Sequence, residues 1–120
     1  MTAAPQGASG YIPPAFIKEV THMTMTRTQD GDHLTLAPEG RLDTLTAPEF
    51  EIELRDSLAS IQSLTLDLTR LDYISSAGLR ALLWAHKTFS ERGGFKLTNV
   101  NEIVQEVLDV TGFSDVLCIE

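Results

Sequence analysis

Four short segments of this chain alternate apolar and polar residues, and this alternation limits the fold more than any other feature of the sequence. The first segment begins at Val20, the second spans residues 33–37, and the others span residues 64–68 and 95–97. Strict alternation indicates β-strands with one buried face and one face in water, whereas strands enclosed between two helical layers are apolar throughout. We therefore predict an α/β fold in which a mixed β-sheet carries its helices on one face.

The segments between these strands contain residues typical of turns and of helix ends. Asp30 and Gly31 form a turn that joins the first two strands as a hairpin, with Met23 and Met25 on the buried side of the first. Three segments with helical spacing follow, and their predicted buried stripes are Phe50, Leu54, Leu58 and Ile61; Leu79, Leu82, Leu83, His86 and Phe89; and Val104, Val107 and Leu108. Thr46 and Glu49 predict a capping box for the first helix, with Pro48 just inside it, and Asn101 predicts the cap of the third, which Gly112 ends.

Length and composition exclude several classes of protein. The 120 residues suit one domain, which we place at residues 19–120 behind a tail, residues 1–18, rich in Ala, Gly, Pro and Ser. Nine basic against seventeen acidic side chains give a net charge of −8, which argues against nucleic acid or an anionic membrane as the main partner. Cys118 has no second cysteine, and the three histidines lack zinc-site spacing, so we expect no metal and no cofactor. Without a signal peptide or a membrane span, a cytoplasmic location is expected.

Two adjacent serines open the second predicted helix, within residues 71–80. A serine at a helix N-terminus is ordinarily a cap, and only one cap is needed. We assign that role to Ser75 and expect Ser76 to be the chemically active hydroxyl, with Gly78 removing bulk beside it. A phosphate on Ser76 would meet unpaired backbone amides and the positive end of the helix dipole.

These segments resemble the sulfate transporter and anti-sigma factor antagonist (STAS) family, in its stand-alone antagonist branch. The resemblance runs from Val20 to Ile119 and includes, in order, residues 40–43, 64–68, 74–79 and 101–112, followed by Phe113. It implies a non-enzymatic protein that binds an anti-sigma factor serine kinase and so frees a sigma factor. It also implies that the kinase uses ATP to phosphorylate the serine two places before the glycine of residues 74–79, which is Ser76 here.

The chain departs from the family pattern on both sides of that serine. Many members have aspartate before it and serine or threonine after it, where this chain has Ser75 and Ala77. Because Ala77 has no hydroxyl, Ser75 is the competitor of Ser76 for the phosphate. Asp43 matches a family aspartate near the partner-facing surface, although a turn-forming role is equally open.

Helical periodicity adds two residues to the expected partner surface. Arg80 and Trp84 lie one and two turns beyond Ser76 and off the buried stripe, so both are expected to be exposed. Trp84 is either a binding hot spot or a cover for the flank of a neighbouring helix. The expected partner-binding residues are therefore Asp43, Ser75, Gly78, Arg80 and Trp84.

Two functions other than a phosphorylation-controlled antagonist are possible for this chain. Ser76, His86 and Asp72 have the residue types of a catalytic triad, but ten helical residues place His86 about 15 Å beyond Ser76, which is too far for a hydrogen bond. The stronger alternative is a STAS subunit of a transporter or of a larger signalling complex that is never phosphorylated. A serine phosphatase as a second partner and a homodimer stay open.

Overall fold

The computed structural model describes residues 23–120. The predicted tail and the predicted strand start at Val20 therefore lie outside the described residues. Met23 is buried, as predicted, but it precedes the first strand, which begins at Met25. The strands are β1 (Met25–Asp30), β2 (His33–Pro38), β3 (Gly40–Leu42), β4 (Ser63–Asp67), β5 (Leu71–Ile74) and β6 (Gly94–Thr98). The helices are α1 (Ala47–Ser57), α2 (Ser76–Ser90) and α3 (Glu102–Val110), followed by a short 3₁₀ helix, Phe113–Asp115.

The main sheet has four strands in the order β1-β2-β4-β6. The hairpin pair β1 and β2 is antiparallel, whereas β2 with β4 and β4 with β6 are parallel, so the predicted mixed sheet is confirmed. The strand register aligns the alternating apolar residues in two rows across the sheet: Leu34, Leu64 and Phe95, and then Leu36, Leu66 and Leu97. All six are buried, in one core with the apolar stripes of the three helices.

The opposite face of this sheet carries polar side chains. The row between the two apolar rows contains Thr35, Thr65 and Lys96. The ring of His33 contacts two hydroxyl groups on this face, Ser63 Oγ at 2.6 Å and Thr65 Oγ1 at 2.9 Å. The alternation in the sequence therefore corresponds to one apolar and one polar face, as predicted.

Two strands were not predicted from the sequence. β3 and β5 form a separate parallel pair, in which Leu42 is aligned with Ile74. They have only three and four residues, too few for alternation to be recognised. This small sheet positions the candidate site.

The start of α1 differs from the predicted capping box. Thr46 occupies the N-cap position and Pro48 lies in the first turn, but the threonine side chain forms no cap hydrogen bond. Its hydroxyl instead donates to the carbonyl oxygen of Arg41 at 2.7 Å, and a carboxylate oxygen of Glu49 accepts from the backbone N–H of Met23 at 2.5 Å. The capping box is wrong because both side chains tie the helix to neighbouring segments instead.

Caps in the last third of the chain agree with the prediction. The side chain of Asn101 accepts from the backbone N–H of Val104 at 2.8 Å and donates to the carbonyl oxygen of Leu71 at 2.6 Å. The same residue therefore caps α3 and ties it to β5. Gly112 follows the helix with a φ of +81°, a conformation that glycine adopts without strain. No helix within residues 23–120 is long and apolar enough to cross a bilayer.

Candidate functional site

The candidate site lies where β3 and β5 end side by side. The two strands are parallel, so the segments that follow Leu42 and Ile74 leave the same edge of the small sheet. The backbone N–H of Ser75 donates to the carbonyl oxygen of Leu42 at 2.9 Å, which fixes the start of α2 against β3. Asp43, in the loop after β3, and Ser76, at the start of α2, consequently leave the same end of the small sheet, although they are 33 positions apart in the sequence.

The two serines of this site have different surroundings. Ser75 is the N-cap residue of α2, as predicted, but its side chain makes no cap hydrogen bond. Its Oγ atom is buried and has no hydrogen-bond partner among the described residues. Ser76 is the first residue of the helix and is exposed. The hydroxyl of Ser76 is therefore accessible from solvent, whereas that of Ser75 is not.

The first turn of α2 leaves backbone amides available around Ser76. The N–H of Leu79 donates to the carbonyl oxygen of Ser75 at 2.9 Å and closes the first turn. The N–H groups before it have no carbonyl one turn earlier in the helix to bond with. An anionic group on Ser76 would lie beside these donors and the positive end of the helix dipole.

Gly78 has a different role from the one predicted. It is buried, so it does not offer surface to a partner. A Cβ atom at this position would lie 2.6 Å from the carbonyl oxygen of Leu42 and 2.7 Å from a side-chain carbon of Ile74. Glycine is required here because α2 packs directly onto the ends of β3 and β5.

Asp43 shapes the loop between β3 and α1. Its Oδ1 atom accepts from the backbone N–H groups of Leu45 at 3.0 Å and Thr46 at 3.2 Å. Burial alone would raise the pKa of this carboxyl group, but these hydrogen bonds, with further ones from the side chains of Thr46 and Arg41, lower it below its usual value. Asp43 is thus a charged turn former at the edge of the site, which was the alternative role considered for it.

Arg41 and Tyr73 form a contact that the sequence analysis missed. The guanidinium carbon of Arg41 lies 4.3 Å from the centre of the Tyr73 ring, and its Nε atom lies 3.5 Å from Asp43. The two residues face each other in the register of β3 and β5, so only recognition of these short strands could have paired them. Leu45, two residues after Asp43, is exposed to 68%, which adds an apolar side chain to the rim of the site.

The residues farther along α2 differ in how far their side chains are exposed. Arg80 is exposed, as predicted. Trp84 is not: it is half-buried against the core, and the guanidinium carbon of Arg55 on α1 lies 5.3 Å from its ring centre. Trp84 is thus not fully exposed as expected from its spacing, and it covers the flank of α1, which was the second of the two roles considered for it. His86 is half-buried, as expected for a residue on the edge of the apolar stripe.

Comparison with known proteins places most of the chain in one group. The family model described as "STAS domain" matches residues 24–120. The Bordetella bronchiseptica protein BtrV, which bears an anti-sigma factor antagonist name, is 33% identical over 76% of this chain and 80% of its own length. The anti-sigma-B factor antagonist of Listeria monocytogenes is 28% identical over 76% of this chain and 82% of its own length.

The fold also matches solved structures of such proteins. The crystal structure of an anti-sigma factor antagonist from Mycobacterium paratuberculosis superposes with a TM-score of 0.73 at 20% identity. The match covers 81% of this chain and 84% of that one, so the similarity extends to nearly the whole architecture.

Proposed function

Because this chain belongs to the STAS domain family, we propose that it is an anti-sigma factor antagonist controlled by phosphorylation of Ser76. In its unmodified form it binds an anti-sigma factor that is also a serine kinase, and the sigma factor is released. The kinase then transfers the γ-phosphoryl group of ATP to Ser76 Oγ, which loses its proton while ADP leaves. The protein is regulatory and not an enzyme, in keeping with its family.

One observation carries the choice of residue. Ser76 is exposed on the first turn of α2, while the Ser75 Oγ atom is buried without a hydrogen-bond partner in residues 23–120. A kinase active site needs the acceptor oxygen in line with the γ-phosphate, which an enclosed hydroxyl cannot provide without unfolding the start of the helix. This favours Ser76 over its competitor.

The proposed partner surface surrounds Ser76 at the start of α2 and the ends of β3 and β5. Asp43, Arg41 and Arg80 are its charged members, and Tyr73 and Leu45 extend it along the rim. Arginine and tyrosine side chains of this kind are enriched among residues that dominate binding energy. Trp84 contributes indirectly, because it holds α1 against α2 beside this surface.

The alternative, a STAS subunit that docks on a transporter or larger complex, is less well supported. The relatives from Bordetella bronchiseptica and Listeria monocytogenes match over about four-fifths of their own length, 80% and 82%, and both bear antagonist names. A small stand-alone regulator fits that pattern better than one part of a transporter.

Phosphorylation by the cognate kinase tests the proposal. We expect one phosphate on the wild-type protein and on the Ser75→Ala variant after incubation with kinase and ATP, and none on Ser76→Ala. Tandem mass spectrometry locates the phosphate. A phosphate on Ser75, or none on any variant while the kinase modifies another substrate, would contradict the assignment.

A further inference from the structure

Ser76 and Arg80 lie one helical turn apart on the exposed side of α2. Both belong to the same regular helix, Ser76–Ser90, and both are exposed. Residues four apart on a helix have Cβ atoms about 5–6 Å from each other, within reach of an arginine side chain. An acidic group that precedes a basic one by four residues is the more favourable order for such a pair.

Arg80 is not engaged elsewhere in the described part of the chain. None of the ion pairs or side-chain hydrogen bonds within residues 23–120 includes it. Its helical neighbours at the same spacing are Ser76 and Trp84, neither of which carries a charge in the unmodified protein. A cation therefore stands beside the switch serine without a fixed anion.

The other arginine near the site is already occupied. Arg41 stacks on Tyr73 at 4.3 Å and pairs with Asp43 at 3.5 Å. Moving it onto a phosphate would break both contacts, while Arg80 would lose none. Two carboxyl groups lie on the elements nearest to Ser76, Asp43 after β3 and Asp72 on β5, and they oppose rather than assist a phosphate.

On this basis we propose that Arg80 is the internal partner of a phosphate on Ser76, held by an ion pair between the first and second turns of α2. This proposal rests on the proposed phosphorylation of Ser76, and it adds the residue that binds the phosphate once it is formed. Arginine binds phosphate oxygens through two parallel N–H donors, which gives the pair a defined geometry.

The ion pair gives phosphorylation a second effect on the partner surface. The modification adds negative charge at Ser76, and at the same time it withdraws the exposed guanidinium of Arg80 from the partner. A partner that binds through Arg80 therefore loses an attractive contact in addition to meeting a new repulsive one.

The second pKa of the phosphate, about 6 for free phosphoserine, reports the ion pair with Arg80 directly. A neighbouring cation favours the doubly charged phosphate and lowers that pKa, so removal of Arg80 should raise it. Phosphoserine placed at position 76 by genetic code expansion, without any kinase, allows the titration to be followed by ³¹P NMR. Arg80→Gln is compared with Arg41→Gln, the competing arginine, and with Lys87→Gln, which removes the same charge at a position about 16 Å from Ser76 along the helix.

We expect Arg80→Gln to raise the phosphate pKa by about 0.3 unit or more, and the two control variants to change it by less than half as much. An unchanged pKa in Arg80→Gln, or a larger change in Arg41→Gln, would overturn the proposal. Because phosphoserine is incorporated during translation, this outcome is independent of whether the kinase selects Ser76.

Discussion

The buried Ser75 hydroxyl is the least expected feature of the site at the level of single residues. Serine at an N-cap normally accepts a hydrogen bond from the first turn, and its replacement by alanine then costs about 0.5–2 kcal/mol. Here the Oγ atom has no such bond with any described residue, so its burial lowers the stability of the fold instead of raising it. Ser75 therefore has the extended backbone of an N-cap residue without the capping hydrogen bond.

We therefore predict that Ser75→Ala leaves the free energy of unfolding unchanged or raises it by up to about 1 kcal/mol. Urea denaturation measures this difference. Asn101→Ala is the matched control, because the Asn101 side chain does accept from Val104 N–H at 2.8 Å, and its loss should lower the free energy of unfolding by about 0.5–2 kcal/mol. A loss of 1 kcal/mol or more in Ser75→Ala would show that its hydroxyl does cap α2 in solution.

Among the helices and strands, the least expected feature is the close packing of α2 onto the small sheet formed by β3 and β5. The helix approaches β3 so closely that position 78 has no room for a methyl group: its nearest neighbour would be a backbone oxygen, which cannot move aside as a side chain can. This contact fixes the distance between the first turn of α2 and β3.

Gly78→Ala should accordingly destabilise the protein by about 1–3 kcal/mol, even though alanine favours helices by about 1 kcal/mol over glycine. Thermal unfolding followed by circular dichroism provides the measurement. Ser90→Ala, at the exposed end of the same helix, should change stability by no more than about 0.5 kcal/mol. If Gly78→Ala instead gains stability, the close approach to Leu42 is not present in solution.

The helices and strands also show which features of the fold can be predicted from the sequence. Strands long enough to alternate, and Asn101 as a cap, were predicted because their signals are local. β3 and β5 were not, because three or four residues carry no period, so the proximity of Asp43 to Ser76 could not be derived from spacing. Thr46, Glu49 and Trp84 were misjudged for a shared reason: their partners Arg41, Met23 and Arg55 come from other elements.

For the whole molecule, phosphorylation is expected to act on the partner more than on the fold. A phosphate carries about −1.5 to −2 charges, and at an exposed helix N-terminus it gains only about 0.3–1 kcal/mol from the dipole. The same charge at a packed interface loses water and can face like charges, which costs several kcal/mol. A loss of about 2.7 kcal/mol already corresponds to a hundredfold weaker complex.

Affinity for the kinase before and after modification tests this account most directly. Calorimetry with the kinase in its nucleotide-bound form would compare the unmodified protein with protein phosphorylated at Ser76, with amide chemical shifts recorded for both. We predict an affinity at least about a hundredfold lower for the phosphorylated form, with shift changes concentrated in residues 74–80. An affinity that changes by less than about twofold, or shift changes spread through β4 and β6, would contradict a switch that excludes its partner electrostatically without refolding the domain.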